Sequence, residues 1–272
     1  MTVMGVLNVT PDSFSDGGLW LDHEAAVAHG LELVAEGAAV VDVGGESTRP
    51  GAEPVPEAEE LRRVVPVVEA LAPHVRVSVD TAKEGVARAA VAAGATLVND
   101  VSASLWPAAA DLGVGWVAMH MRGEPRTMQD DPAYDDVVAE VVAFLAERAQ
   151  VALAAGVPEV WIDPGFGFGK TTSHNLSLLA HLDRIVALGH PVVVGLSRKA
   201  TIGRLLALSD AGGFDPEAVA EGTVGGGVTP VPPDDRLAGT VALQVWAMAK
   251  GAGMIRAHDV RPAVQAAKVV AA

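Results

Sequence analysis

Met4–Gly18, with the sequence MGVLNVTPDSFSDGG, is the most informative part of this chain. It runs from a short apolar segment into Asn8, and then into a polar loop that carries Asp12 and Asp16. A proline and paired glycines interrupt this loop, which is typical of a surface connection. A strand that ends in a side-chain amide and continues into an acidic loop is how a barrel enzyme presents groups to a ligand.

The same unit recurs along the chain: a short β-branched apolar run, a polar loop and an amphipathic helix rich in Ala and Glu. We predict eight strands, at Thr2–Leu7, Ala39–Val43, Val75–Val79, Thr96–Val98, Gly115–Met119, Glu159–Ile162, Pro191–Gly195 and Gly253–Arg256. Helices are predicted at His23–Glu36, Ala58–Leu71, Lys83–Ala93, Ala108–Leu112, Tyr134–Ala155, Asn175–Leu188, Asp235–Lys250 and Arg261–Val270. This pattern predicts an α/β fold, a single (β/α)8 TIM barrel domain over residues 1–272. A doubly wound open sheet is the competing topology.

The composition excludes several classes of protein. Hydrophobic residues make up 50% of the chain, which predicts a large core, and the absence of cysteine excludes disulfides and thiolate metal sites. A formal net charge of −15 argues against nucleic acid as a partner. Apolar runs are too short to span a membrane, so we expect a cytoplasmic protein without a membrane partner. Part of the negative charge is expected on a solvated helix face, at Glu57, Glu59, Glu60 and Glu69.

One segment departs from the repeating unit. Ser209–Pro233 contains a triple glycine and several prolines, which is typical of a loop. We predict that residues 209–233 are a flexible insertion between two helical pieces and not a domain boundary.

Polar side chains close nearly every predicted strand. In chain order they are Asn8, Asp42, Asp80, Asn99 with Asp100, His120, Asp163, Ser197 with Arg198 and Lys199, and Arg256 with His258. Any one of these carboxylates has an ordinary alternative role as a helix cap. As a set they indicate an active site at the C-terminal ends of the strands, where barrels place their chemistry.

Three residues of this set suit a flat heterocycle. The carboxylates of Asp80 and Asp163 and the amide of Asn99 are able to pair with the donor and acceptor edge of such a ring. The segment Asp163–Thr172 also carries Phe166 and Phe168 between alternating glycines, and these rings either face a ligand or fill the core. Its Gly-Lys-Thr run lacks the spacing of a P-loop.

Two further clusters suit anions. The loop Gly44–Gly51, GGESTRPG, offers hydroxyls and a guanidinium, although a solvated turn is the alternative. Arg198, Lys199, Arg256 and His258 follow the seventh and eighth strands, where barrels frequently bind phosphate. We expect a diphosphate there, and any metal would be Mg²⁺ held largely by phosphate oxygens, waters and one protein group.

These landmarks together resemble dihydropteroate synthases. The similarity rests on MGVLNVTPDSFSDGG, GGESTRPGA, SVDT, VND, MHM with a following PRTMQ, DPGFGFGK, GLSRK and IRAHDV, between residues 4 and 260. The resemblance implies a transferase that joins p-aminobenzoate to 6-hydroxymethyl-7,8-dihydropterin diphosphate, giving 7,8-dihydropteroate and diphosphate. It also implies a homodimer formed through the last helices.

The resemblance further implies the roles of individual residues. The pterin contacts are Asp80, Asn99, Met119, Asp163 and Lys199. The diphosphate contacts are Asn8, Arg256 and His258, with Mg²⁺ beside Asn8. The p-aminobenzoate contacts are Thr48, Arg49, Pro50 and Phe168 or Phe166. The residues assigned to catalysis are Asp80, Asp163 and Lys199, together with Asp12 or Asp16, one of which faces a pterin cation.

Two positions depart from the family pattern. Ala200 replaces a serine that contacts the aminobenzoate in many relatives, and Arg122 replaces a common glutamine. Two other function classes stay open at this point: a corrinoid-linked methyltransferase with the same barrel, and a pterin-binding barrel without catalysis.

Overall fold

Eight parallel strands form the centre of the computed structural model, which describes residues 1–10, 23–47, 52–212 and 229–272. The strands are β1 (Thr2–Asn8), β2 (Val40–Gly44), β3 (Arg76–Asp80), β4 (Leu97–Asp100), β5 (Gly115–Met119), β6 (Val160–Asp163), β7 (Val193–Gly195) and β8 (Met254–Ala257). They lie in the order β6-β5-β4-β3-β2-β1-β8-β7. A parallel bridge between Ile162 and Val192 brings the two end strands together. The predicted (β/α)8 barrel is confirmed, and the open sheet is not formed.

Helices surround the barrel. They are α1 (His23–Ala35), α2 (Glu57–Leu71), α3 (Glu84–Ala92), α4 (Trp106–Leu112), α5 (Val137–Ala154), α6 (Thr172–Ala180), α7 (Leu182–Val186), α8 (Ala200–Asp210), α9 (Leu237–Ala249) and α10 (Val260–Val270). A large apolar cluster packs between these helices and the strands, to which β2 contributes Val41 and Val43 and β3 contributes Val77 and Val79. None of the described helices is long and apolar enough to cross a membrane.

A second, smaller apolar cluster fills the inside of the barrel. Its members come from six different strands: Met4, Val40, Leu97, Val117, Val193 and Met254. Successive side chains of a strand point to opposite faces, so the next inward position lies two residues further along. On β2, β4 and β8 that position is Asp42, Asn99 and Arg256. We call this inner cluster the apolar plug. It supports a polar layer that includes Asp42, Asn99 and Arg256, and this layer is the floor of the site.

Six of the eight strands end later than the sequence predicts, whereas β5 and β7 end at the predicted residue. β1 includes Asn8, β3 includes Asp80 and β6 includes Asp163, each of which we expected to follow its strand. Their neighbours in the sheet hold them in register, since Asn8 pairs with Gly44 and Asp80 with Asn99. Pairing with the neighbouring strands therefore fixes the backbone at these residues, which belong to the sheet and not to a loop.

Three predictions about helices are wrong. Asn175–Leu188 is not one helix, because His181 leaves helical geometry and divides the segment into α6 and α7. The long helix begins at Val137, not Tyr134, because the Asp136 side chain accepts hydrogen bonds from the N–H groups of Val138 and Ala139. The predicted insertion begins too early, since α8 continues to Asp210. Within that insertion, residues 213–228 lie outside the described part of the chain.

Candidate active site

A pocket opens at the C-terminal ends of the strands. Its lining consists of Asp80, Asn99, Val101, Met119, Asp163, Gly165, Phe166, Phe168, Gly195, Lys199 and Arg256. All five residues predicted to contact the pterin are in this set. The lining residues come from six strands or from the loops that follow these strands. No single short sequence motif therefore predicts the pocket.

A network of charges crosses the pocket floor. Arg256 donates from Nε to Oδ2 of Asp42 at 2.7 Å and from Nη2 to Oδ2 of Asp80 at 2.7 Å. Asn99 donates from Nδ2 to the same Asp42 oxygen at 2.9 Å. The predicted pterin and diphosphate contacts therefore meet at Asp42, which the sequence places among the strand-end residues but to which the family resemblance assigns no contact.

Burial changes the proton affinity of the floor. It raises the pKa of Asp80 to about 7, with a further rise from Asp42 and an opposing effect of Arg256. It also raises the pKa of Asp163, against the Gly165 N–H, which donates to Oδ1 of Asp163 at 2.7 Å. For Arg256, burial disfavours the charge, but Asp42 and Asp80 outweigh it and raise the pKa. The floor thus offers hydrogen-bond acceptors, of which Asp80 changes its ionisation near neutral pH.

A buried lysine holds the glycine-rich loop after β6. Lys170 is 2% exposed, and its Nζ lies 3.0 to 3.2 Å from Nδ1 and O of His120 and from the carbonyl oxygens of Gly165 and Phe168. Burial lowers the pKa of Lys170 to about 7 and, together with Lys170, lowers the pKa of His120 to about 3. His120 is therefore neutral at physiological pH, and its Nδ1 lies 3.0 Å from Lys170 Nζ. The Gly-Lys-Thr run has a structural use here and does not bind phosphate as a P-loop does.

The two phenylalanines of this loop have different positions. Phe166 is 2% exposed and belongs to the main apolar cluster, although one side reaches the pocket. Phe168 lies with its ring centroid 4.0 Å from Nζ of Lys199, a distance typical of a cation–π contact. Phe168 is thus the ring that faces the charged part of the pocket, and the core alternative describes Phe166.

The chain reverses direction sharply before Lys199. Arg198 has a φ of +58°, which is unusual for a residue with a side chain. Its guanidinium turns away from the pocket and donates to both carboxylate oxygens of Asp259, at 2.7 and 3.1 Å. Of the two neighbouring cations, only Lys199 lines the pocket. The strain at Arg198 accompanies the placement of Lys199, as is common beside functional sites.

The remaining predicted diphosphate contacts do not line the pocket itself. His258 is held by Ser197, whose Oγ accepts from the His258 backbone N–H at 3.2 Å and lies 3.1 Å from Nδ1. Its other ring nitrogen, Nε2, is the one that faces away from this contact. Asn8 is the last residue of β1 and pairs with Gly44 across the sheet.

Asn8 is also the residue predicted to bind Mg²⁺. No group of three or more His, Cys, Asp or Glu able to hold a metal occurs in the described residues. A magnesium ion bound mainly by phosphate oxygens and water needs a single protein oxygen, which an asparagine amide supplies. The donor set therefore fits the predicted ion only in company with a diphosphate.

The base of the second loop is fixed by ion pairs. Glu46 accepts hydrogen bonds from Lys83 Nζ and from the Val55 N–H, and Lys83 also contacts Glu60. The expectation that Glu60 lies on a solvated face is wrong: it is fully buried, and Thr81 Oγ1 donates to it at 2.7 Å. The predicted site residues Thr48, Arg49, Pro50, Asp12 and Asp16 lie outside the described residues.

Comparison with known proteins gives a consistent result. A family model described as pterin binding enzyme matches residues 4–258. The dihydropteroate synthase of Mycobacterium leprae is 48% identical over 279 residues, which cover 99% of this chain and 92% of that protein. The Xanthomonas albilineans dihydropteroate synthase, solved with 4-aminobenzoic acid, is 50% identical with a TM-score of 0.83, covering 98% of this chain and 91% of that one.

A third relative was solved with a different ligand. The Thermus thermophilus dihydropteroate synthase in complex with 6HMPPP is 44% identical with a TM-score of 0.78, covering 98% of this chain and 92% of that one. Both the identity and the coverage extend over the barrel strands that form the pocket. The chain therefore belongs to the pterin-binding enzymes and, among them, to the dihydropteroate synthases.

Proposed function

We propose that this protein joins p-aminobenzoate to 6-hydroxymethyl-7,8-dihydropterin diphosphate, releasing diphosphate and forming 7,8-dihydropteroate. The observation that carries the proposal is the meeting of Asp80, Asn99, Met119, Asp163 and Lys199 in one pocket. They come from β3, β4, β5, β6 and the segment after β7. Acceptors, an amide, a thioether and a cation around one small pocket suit a planar ring with both donor and acceptor edges.

The pterin ring takes the floor of this pocket. The carboxylates of Asp80 and Asp163 accept hydrogen bonds from ring N–H groups, and Lys199 donates to ring acceptors. Met119 provides a polarisable surface against the ring face. These contacts orient the hydroxymethyl carbon away from the plug and toward the mouth of the barrel.

Departure of diphosphate is the first chemical step. The bond between the methylene carbon and the diphosphate oxygen breaks, and both electrons leave with the oxygen. Arg256 and His258 neutralise the growing negative charge. Asn8 would supply the protein oxygen for Mg²⁺, and such an ion would help to neutralise the charge of the leaving group.

Capture by the amine completes the reaction. The positive charge on the methylene carbon spreads into the pterin ring, where the nearby carboxylates of Asp80 and Asp163 stabilise it. The p-aminobenzoate nitrogen then forms the new C–N bond and loses one proton to solvent. The aromatic ring of p-aminobenzoate lies against Phe168, next to Lys199, and Thr48, Arg49 and Pro50 remain its predicted contacts.

A reconstitution assay tests the proposed function. Purified protein, the pterin diphosphate, p-aminobenzoate and Mg²⁺ are combined, and dihydropteroate is measured by mass spectrometry. We expect product that depends on all three small molecules. No product at high protein concentration, with the pterin diphosphate bound, would identify a pterin-binding barrel without catalysis. Transfer of a methyl group from a methylated folate to a corrinoid protein would instead support the methyltransferase.

We also propose that the protein is a homodimer formed through its last helices. Trp246 on α9 is 50% exposed, and Leu237 on the same helix is exposed as well. The indole Nε1 of Trp246 donates to the carbonyl oxygen of Leu179 at 3.1 Å, so the ring is held in place although it faces solvent. A fixed, exposed aromatic side chain is typical of an interface. A cytoplasmic location stays a prediction.

A further inference from the structure

Asp42 is a buried carboxylate in the interior of the barrel. It is fully buried in β2, between the apolar residues Val41 and Val43 of the sequence VVDVG. Burying a carboxylate is costly unless it is paired and hydrogen-bonded. Asp42 is not part of the pocket lining, so direct contact with a ligand does not account for it.

A single oxygen of Asp42 has two partners. Oδ2 accepts from Asn99 Nδ2 at 2.9 Å and from Arg256 Nε at 2.7 Å. Asn99 lies on β4 and Arg256 on β8, so this oxygen connects strands on two sides of β2. Both partners line the pocket, and the proposed function gives one to the pterin and the other to the diphosphate.

The chemistry of a carboxylate determines how each partner is oriented. An ionised carboxylate only accepts hydrogen bonds, so the amide of Asn99 must present its nitrogen to Asp42 and its oxygen elsewhere. A guanidinium is planar, and Asp42 at Nε together with Asp80 at Nη2 fixes the plane of Arg256. Without Asp42, the amide is free to turn over and the guanidinium is held at one end only.

We propose that Asp42 is a positioning residue that couples the two halves of the pocket, orienting Asn99 for the pterin and Arg256 for the diphosphate through one shared oxygen. This inference rests on the proposed function. It makes Asp42 responsible for binding at two places that it does not itself contact.

Binding of two partial ligands to the Asp42→Asn variant tests this role. The probes are 6-hydroxymethylpterin, which lacks the phosphates, and inorganic diphosphate with Mg²⁺, each titrated by calorimetry. Loss of one hydrogen bond to a charged group predicts that both affinities fall about tenfold or more. Affinity for p-aminobenzoate, measured with diphosphate and the pterin absent, is expected to stay within about twofold of wild type.

Ser78→Ala provides a matched control. Ser78 pairs with Asp42 in the sheet, is equally buried, and has an Oγ without a hydrogen-bond partner among the described residues. We expect this variant to bind both probes as wild type does. A fall of both affinities in Ser78→Ala as well would overturn the proposal, because any disturbance of the layer would then have the same effect.

The remaining outcomes are also decisive. If Asp42→Asn binds both probes as wild type does, or loses only one of them, the coupling role is overturned. If Asp42→Asn does not fold, Asn99→Ala replaces it: without the amide, the Asp42 carboxylate loses one of the two partners that fix its position, so Arg256 is held less firmly and diphosphate affinity is expected to fall about threefold or more. Unchanged diphosphate affinity in Asn99→Ala refutes the coupling.

Wild-type turnover tests the proposed function separately, since a protein that binds both probes without forming product contradicts only that function.

Discussion

Side chains alternate between the two faces of a strand with a period of two residues, and this alternation determines which residues of the site face the inside of the barrel. Asn99 stands two residues beyond Leu97, and Arg256 two residues beyond Met254, so each follows a member of the apolar plug on the same inward face. The strand ends alone predict Asp80, Asn99 and Asp163 as contacts of a flat ring, whereas Met119 and Lys199 follow only from the family resemblance. The shared partner of Asn99 and Arg256 was not predicted, because Asp42 meets these two residues only in the closed barrel.

The first residue-scale prediction concerns pH. Burial raises the pKa of Asp80 to about 7, and the ionised form accepts hydrogen bonds from ring N–H groups at both oxygens, whereas protonation removes the charge and turns one oxygen into a donor. Pterin affinity is therefore expected to be full above pH 7 and to fall as the pH drops below it, by up to about tenfold per unit. Titration of 6-hydroxymethylpterin by calorimetry between pH 5 and 9 checks this. In Asp80→Asn the decline should be absent, and an equal decline in that variant would contradict the assignment to Asp80.

The second residue-scale prediction concerns Lys199. Lys199→Met keeps the length of the side chain but removes the charge that faces Phe168 and the pocket. We expect kcat/KM for the pterin diphosphate to fall by at least about a hundredfold, as expected for loss of a charged contact in a buried site. Lys268→Met, on the exposed surface of α10, serves as the control. Near-normal turnover of Lys199→Met would remove this residue from the site.

At the scale of elements, the loop between β6 and α6 is fixed from several sides. Lys170 Nζ donates to the carbonyl oxygens of Gly165 and Phe168 within the loop. The Tyr134 hydroxyl donates to the Gly169 carbonyl oxygen at 2.8 Å. Gly165, Gly167 and Gly169 all have positive φ angles. Alternating glycines therefore let a short loop fold tightly enough to present Phe168 at the pocket.

Gly165→Ala tests how tightly this loop is packed. A Cβ at Gly165 would lie 1.8 Å from the carbonyl oxygen of His120, so the backbone must move. We expect destabilisation of about 3 kcal/mol or more and a matching loss of turnover. Gly156→Ala also has a positive φ but meets nothing within 4 Å, and about 1 kcal/mol is expected there. Urea unfolding measures both, and equal effects of the two variants would contradict the tight packing of the loop.

Most helices and strands can be predicted from the sequence, but some of their ends and contacts cannot. All eight strands and most helices follow from apolar periodicity, and the observed ends lie within a few residues of the predicted ones. The break at His181 has no proline or glycine to announce it; Leu182 and Ile185 are fully buried beyond it, so packing redirects the chain. The burial of Glu60 was equally hidden, since its partners Thr81 and Lys83 lie on another element.

At the scale of the whole molecule, charge is unevenly distributed. The chain carries a formal net charge of −15, yet the cations Lys199 and Arg256 line the pocket at one end of the barrel. A local group of cations inside an acidic protein is able to bind a small anion without attracting nucleic acid. The outer helices therefore carry the charge that favours solubility, and the strand ends carry the residues that recognise the ligand.

Self-association is the prediction for the whole molecule. The homodimer we propose places Trp246 in the interface, so Trp246→Glu should raise the dissociation constant by about a hundredfold or more. Sedimentation velocity at several concentrations measures the mass of both proteins. The control is Leu31→Glu, an exposed apolar residue on α1 at a distance from α9 in the chain. A monomeric wild type at micromolar concentration, or equal dissociation of both variants, would contradict this interface.

Single-turnover analysis of the wild-type enzyme tests the central claim most directly. Protein in excess over the pterin diphosphate is mixed with p-aminobenzoate and Mg²⁺, and both products are quantified over time after rapid quenching. We expect diphosphate and 7,8-dihydropteroate to appear together, one for one. Release of diphosphate with formation of 6-hydroxymethyl-7,8-dihydropterin instead, or release of neither product, would contradict it.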